Sequence, residues 1–158
     1  MSATRTRLML VDDHALVMAG YARLLELEPD FEVAACHASA EAAYADLQRQ
    51  PTAIDLVMLD LSMPGRSGLD LMRRIQMQWP RLWLLVCSMH DSPPMVSQAL
   101  QAGAHGFITK CSDPSLLPQA IRSIVRGGRF LSPDVRDARQ HASAAAPHEA
   151  LSPREFDV

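Results

Sequence analysis

Five times along the chain a short apolar run is followed by a longer stretch in which apolar residues recur every three or four positions. The first run is Leu8-Met9-Leu10-Val11, and after Asp12-Asp13 the residues 14–27 carry Leu16, Ala19, Tyr21, Leu24 and Leu27 at helical spacings. The unit repeats at 31–36 with 39–50, at 54–59 with 67–79, at 82–88 with 93–101, and at 106–109 with 113–126. Runs 8–11 and 82–87, and 54–59 apart from Asp55, are continuously apolar, as expected of central parallel strands covered by helices on both faces. Five successive strand–helix units predict an α/β fold, a doubly wound five-stranded parallel sheet.

Punctuation along the chain supports these limits. Pro51 and Pro80 follow helices two and three, Pro94 sits near the start of helix four, and Asp113-Pro114 offers an N-cap with Pro at the first helical position. Pro118 is awkward, because an interior Pro costs ~3 kcal/mol. Either the last helix begins near Pro118 or its first turn is irregular. After Gly127-Gly128 the pattern ends, which places one domain over 1–128. Residues 129–150 read as a linker, with a short helix over 133–146 as the competing reading because Ala, Arg and Gln favour helix. Leu151-Ser152-Pro153-Arg154-Glu155 then looks like a helix start, with Ser152 as N-cap and Glu155 closing a capping box.

Composition narrows the function. At 158 residues one well-buried core is expected, and a formal net charge of -3 lacks the basic excess of a nucleic-acid binder. No apolar stretch approaches the ~20 residues that span a bilayer, so no membrane association and a cytoplasmic location are expected. Cys36, Cys87 and Cys111 are odd in number and never form a CxxC pair, which fits reduced thiols, with Cys36 and Cys87 read as small core residues. The six histidines are scattered, without the paired spacing of a transition-metal site.

Candidate chemistry collects at the sheet's carboxyl edge, where open parallel sheets hold their ligands. Strand one ends in Asp12-Asp13, strand three in Asp60, strand four in Ser88, and strand five in Thr109-Lys110. Alone, Asp60 is as readily a turn former, Asp12-Asp13 a helix-start acidic pair, and Lys110 a solvated lysine. Their convergence from four strands is what turn chemistry explains poorly. Three clustered carboxylates repel one another unless a cation is bound or one stays protonated, and an oxygen-only donor set favours Mg²⁺. Mg²⁺ and Lys110 together would stabilise charge on a phosphoryl group arriving at Asp60, a competent carboxylate nucleophile, with Ser88 a further hydrogen-bond donor.

Residues 7–126 resemble the receiver domain of two-component response regulators. The resemblance is carried by Asp12-Asp13, by Asp60 with Met63-Pro64 and Gly68, by Ser88, and by Gly103-Ala104, Gly106-Phe107 and Lys110. It implies a flavodoxin-like (βα)5 sheet in the order 2-1-3-4-5 and phosphorylation of Asp60 by a sensor histidine kinase. It further implies Mg²⁺ held by Asp13, Asp60 and the backbone carbonyl of Ser62, with Asp12 acting mainly through water, and a switch formed by Ser88 and Phe107. Asp12-Asp13-His14, Ser88-Met89-His90-Asp91, 127–133 and 151–155 are similar to NarL/FixJ-type members in particular, and 151–158 to the opening of a LuxR-type helix-turn-helix domain. The chain is thus expected to be a receiver that dimerises on phosphorylation and reaches DNA only through an output domain largely absent here.

Some positions depart from the family pattern. Phe107 stands where Tyr is frequent, and Cys111 follows Lys110 where many receivers have Pro, so a cis bond is not implied. Met89 would narrow access to the pocket, and Ser62 and His90 are candidates for tuning the acyl phosphate's lifetime. No enzyme activity beyond the chain's own phosphorylation and dephosphorylation is expected. A Mg²⁺-dependent aspartyl phosphohydrolase is the competing class, but it needs a second acid/base carboxylate where Ser62 stands. A phosphorylation-independent pseudo-receiver is the other alternative.

Overall fold

The computed structural model describes residues 5–61, 68–89, 92–133 and 135–136. Strands and helices alternate as β1 (Thr6–Val11), α1 (Ala15–Glu26), β2 (Phe31–His37), α2 (Ala40–Arg49), β3 (Leu56–Leu59), α3 (Gly68–Gln78), β4 (Trp83–Ser88), α4 (Pro93–Gln101), β5 (Gly106–Thr109), α5 (Leu116–Val125) and β6 (Phe130–Leu131). They form one parallel sheet in the order β2-β1-β3-β4-β5-β6. Alternate strand residues feed two apolar layers. Met9, Val11, Val57, Leu59, Leu84 and Val86 pack against α2, α3 and α4. Leu8, Leu10, Leu56, Met58, Leu85 and Cys87 pack against α1 and α5. Because both faces are covered, a central strand has no position to spare for a polar residue until it reaches its end, at ~1.5–3 kcal/mol for each large apolar side chain buried.

Helix starts follow local chemistry. Ser39 caps α2, its Oγ accepting from the Ala42 N–H at 3.1 Å, and Pro93 and Pro94 occupy the first turn of α4, where a missing N–H costs nothing. Three sequence expectations are corrected. Asp113 is not the cap of α5: its carboxylate accepts from the Ser115 N–H at 3.0 Å in a preceding turn, and the helix begins at Leu116. Pro118 is then the third helical residue, inside the first turn, so no backbone bond is lost. The sheet also has a sixth strand, since Phe130 and Leu131, assigned above to the linker, pair with Gly106 and Phe107. Beyond it Arg136 N donates to Ser132 O at 2.9 Å, and most of the 133–146 helix expectation lies outside the described residues, as does the 151–158 segment.

Cys36 is the third correction: it is exposed, because β2 is an edge strand and Cys36 shares the outward phase of Glu32 and Ala34. Cys87 is buried as expected, its S–H donating to Tyr21 Oη at 3.4 Å, and burial pushes the thiol up to about 11. Cys111 is exposed. Titration of the native chain with a disulfide reagent at about pH 8 is therefore expected to modify Cys111 and Cys36 and to spare Cys87 until denaturant is added. Three thiols reacting at one rate would contradict this packing.

Candidate functional site

Each strand of the central four delivers its last residues to one patch. Hydrogen bonds between neighbouring strands fix the register of the delivery: Asp12 N to His37 O at 3.0 Å, Asp60 N to Val11 O at 3.0 Å, and Lys110 N to Ser88 O at 2.8 Å. Gly68 allows α3 to start against this patch. A Cβ there would lie 2.8 Å from the backbone oxygen of Asp60, closer than real Cβ contacts come, and 3.0 Å from Cδ1 of Leu59, so a larger residue would push the helix off the strand end.

Asp60 is 1% exposed and Asp12 6%. Between them lies the ammonium of Lys110, with Nζ 2.7 Å from Oδ2 of Asp12 and 3.1 Å from Oδ2 of Asp60 and a side chain only 4% exposed. The reading of Lys110 as a solvated lysine is excluded by that burial. Burial works against its charge, but the hydrogen bonds and charges of Asp12 and Asp60 outweigh it and raise the ammonium pKa. Ser88, at the end of β4, is fully buried, and so is Phe107. Thr109 and Phe107 are tied to the chain after β6: Ser132 N donates to Phe107 O at 3.0 Å, and Thr109 N donates to Ser132 Oγ at 3.4 Å. Met89 is half exposed next to Ser88. Ser62, the rest of 62–67 and His90 lie outside the described residues.

One member of the cluster was absent from the sequence-derived set. His14 stands at the N-cap of α1, and its backbone N–H donates to Asp12 Oδ1 at 2.8 Å. Its ring nitrogen Nδ1 lies 3.0 Å from Asp12, 3.2 Å from Asp13 and 3.8 Å from Asp60. A ring nitrogen thus stands among the clustered carboxylate oxygens. The neighbouring carboxylates were the available signal, but a residue at a strand–helix junction does not declare in sequence which way its ring turns.

Asp12, Asp13, His14 and Asp60 each offer one ligand atom, and all four atoms lie within 4.8 Å of one another. Among the described residues three carboxylates stand against one ammonium, and the excess of negative charge fits a divalent cation. Asp60 is also the most buried of the three carboxylates, held with one oxygen toward Lys110, which suits a nucleophile whose attacked group gains negative charge.

Comparisons with known proteins agree with this geometry. The family model described as response regulator receiver domain matches residues 8–122. The transcriptional regulatory protein UhpA of Salmonella typhimurium is 40% identical over 150 residues, covering 94% of this chain and 71% of its own length. Its Escherichia coli counterpart, also 40% identical, matches over 80% of this chain, which spans only 62% of it. A LuxR-family two-component response regulator from Aurantimonas superposes with a TM-score of 0.84 at 38% identity, covering 89% of this chain and 99% of that one. RcsB from Salmonella enterica serovar Typhimurium, solved bound to a promoter with the phosphomimetic BeF3-, superposes at 0.81 with 26% identity over 90% of this chain and 70% of its own.

Proposed function

The chain belongs to the response regulator receiver domain family, and from that premise we propose that Asp60 is its phosphoacceptor, charged by a sensor histidine kinase. The observation that carries the reading is the buried bridge of Lys110 between Asp60 and Asp12, with Asp13 beside it. A carboxylate oxygen of Asp60 attacks the phosphorus of a phosphohistidine. The phosphorus–nitrogen bond breaks as the oxygen–phosphorus bond forms, and the departing imidazole keeps the electron pair and takes a proton from water. Lys110 faces the charge that builds on the phosphoryl oxygens, and the Ser88 hydroxyl donates to one of them.

Asp13 and Asp60, the Ser62 carbonyl, and Asp12 through water are the residues that would hold Mg²⁺. When bound, the ion supplies positive charge to the phosphoryl oxygens. Phosphorylation adds roughly -1.5 to -2 charges at Asp60, which draws Ser88 toward the new oxygens and favours the buried ring of Phe107. The face made by α4, β5 and α5 then changes and passes the state on. Promoter binding by RcsB and the transcriptional role named for UhpA support an output in transcription, exerted through a homodimer and an attached DNA-binding domain. No helix among the described residues is long and apolar enough to cross a membrane.

Incubation with acetyl phosphate and Mg²⁺, followed by intact-mass and peptide mass spectrometry, is expected to find a single phosphoryl group on Asp60. No uptake, or uptake elsewhere, would overturn the reading.

A further inference from the structure

The separations around His14 have the dimensions of one coordination shell. Two ligand atoms bound at right angles to one ion, with bonds of ~2.1 Å, stand about 3 Å apart, and opposite ones about 4 Å apart. Nδ1 of His14 stands 3.2 and 3.8 Å from oxygens of Asp13 and Asp60, within these spacings, while the Asp12 oxygen 3.0 Å away belongs to the carboxylate that would reach the ion through water. The main chain holds it there, because the His14 N–H is bonded to the same Asp12 oxygen, Oδ1, that faces the ring. With a side chain 54% exposed, the imidazole is turned toward the carboxylates by their charge and by its contact with Asp12 Oδ1 rather than by packing.

We propose that His14 is a protein ligand of the divalent-cation site, and that the resulting imidazole-plus-carboxylate donor set selects a first-row transition cation, such as Mn²⁺ or Co²⁺, over Mg²⁺. The inference rests on the pocket's being the metal-assisted phosphoacceptor site and concerns which ion it takes. Mg²⁺ prefers hard oxygen donors and keeps its waters, whereas a neutral imidazole nitrogen adds affinity that grows along the transition series. The competing role is that of a counterion, in which the ring donates to the carboxylates and leaves when a metal enters. The two roles predict opposite effects of removing the ring: a ligand's loss weakens metal binding, a counterion's loss strengthens it.

Mn²⁺ is added to the full 158-residue chain at one fixed pH of about 8, above the ordinary imidazole range, and its electron spin echo is recorded. Modulation from a directly bound nitrogen is expected, and it is expected to vanish in His14→Ala, with circular dichroism confirming that the variant is folded. In calorimetric titrations the ratio of Co²⁺ to Mg²⁺ affinity should fall at least about tenfold in the variant. Absence of nitrogen modulation in the unmodified chain, an unchanged ratio, or tighter Mn²⁺ binding by His14→Ala would each overturn the proposal. Phosphoryl uptake from acetyl phosphate with Mg²⁺, measured on the same preparation, separates it from the reading it rests on. Uptake without nitrogen modulation sinks the imidazole ligand and leaves Asp60 as acceptor, and modulation without uptake does the reverse.

Discussion

Asp60→Asn is expected to lose phosphoryl uptake from acetyl phosphate and Mg²⁺ down to background while gaining stability, by ~1 kcal/mol or about 3 °C in Tm without metal. The two effects have one origin. Asp60 is 1% exposed and shares its pocket with Asp12 and Asp13, facing the ammonium of Lys110. Keeping that carboxylate ionised costs desolvation and repulsion from two like charges. An amide of the same shape relieves both costs, and its carbonyl oxygen still accepts from Lys110, but it is no nucleophile. Divalent-cation affinity should fall as well, since one of the clustered ligands loses its charge. Wild-type uptake by the variant would place the acceptor elsewhere. A lowered Tm would make the Lys110–Asp60 contact a structural ion pair rather than the strained part of a reactive site.

What could be read in sequence divides along physical lines. Strand β5 and helix α4 have the limits the pattern predicts, and Asp12, Asp60, Ser88 and Lys110 meet where strand ends should bring them, because a sheet covered on both faces tolerates only apolar residues until its edge. β6 was illegible since two residues carry no period; its place depends on Gly106 and Phe107, its pairing partners. At Cys36 the signal existed, in the outward phase of Glu32 and Ala34, but the surrounding alanines and valine made an edge strand resemble a buried one. Asp113-Pro114 has the chemistry of a helix cap and instead builds the turn before the helix, two uses of the same side-chain hydrogen bond that only the structure separates. His14 was missed for a different reason: its importance lies in ring orientation, and orientation is a product of packing.

Lys110→Met is expected to impair the same function with the opposite effect on stability, a loss on the order of 3 kcal/mol near neutral pH. The substitution keeps an apolar stem and removes the charge that sits 2.7 Å from Asp12 and 3.1 Å from Asp60, both side chains being less than a tenth exposed. Two buried carboxylates then face each other with no ammonium between them, an uncompensated like-charge pair. In the native chain the raised pKa of Lys110 makes its contribution full below the unfolded ~10.4 and lost as pH climbs through the folded value, so the stability gap between the native chain and the variant should narrow only at that alkaline end. Phosphoryl uptake should slow by about 10²- to 10³-fold rather than vanish, because Asp60 is still present and only a preorganised positive charge has gone. Thermal melts across pH, beside uptake rates, measure both. Since Lys110 and Asp60 touch, the two substitutions should not be additive: with Asp60→Asn already in place, Lys110→Met leaves one fewer buried charge behind and should cost distinctly less. Equal costs in the two backgrounds would mean that the carboxylates escape to solvent when the ammonium is removed, and that the pocket is looser than the distances around Lys110 require.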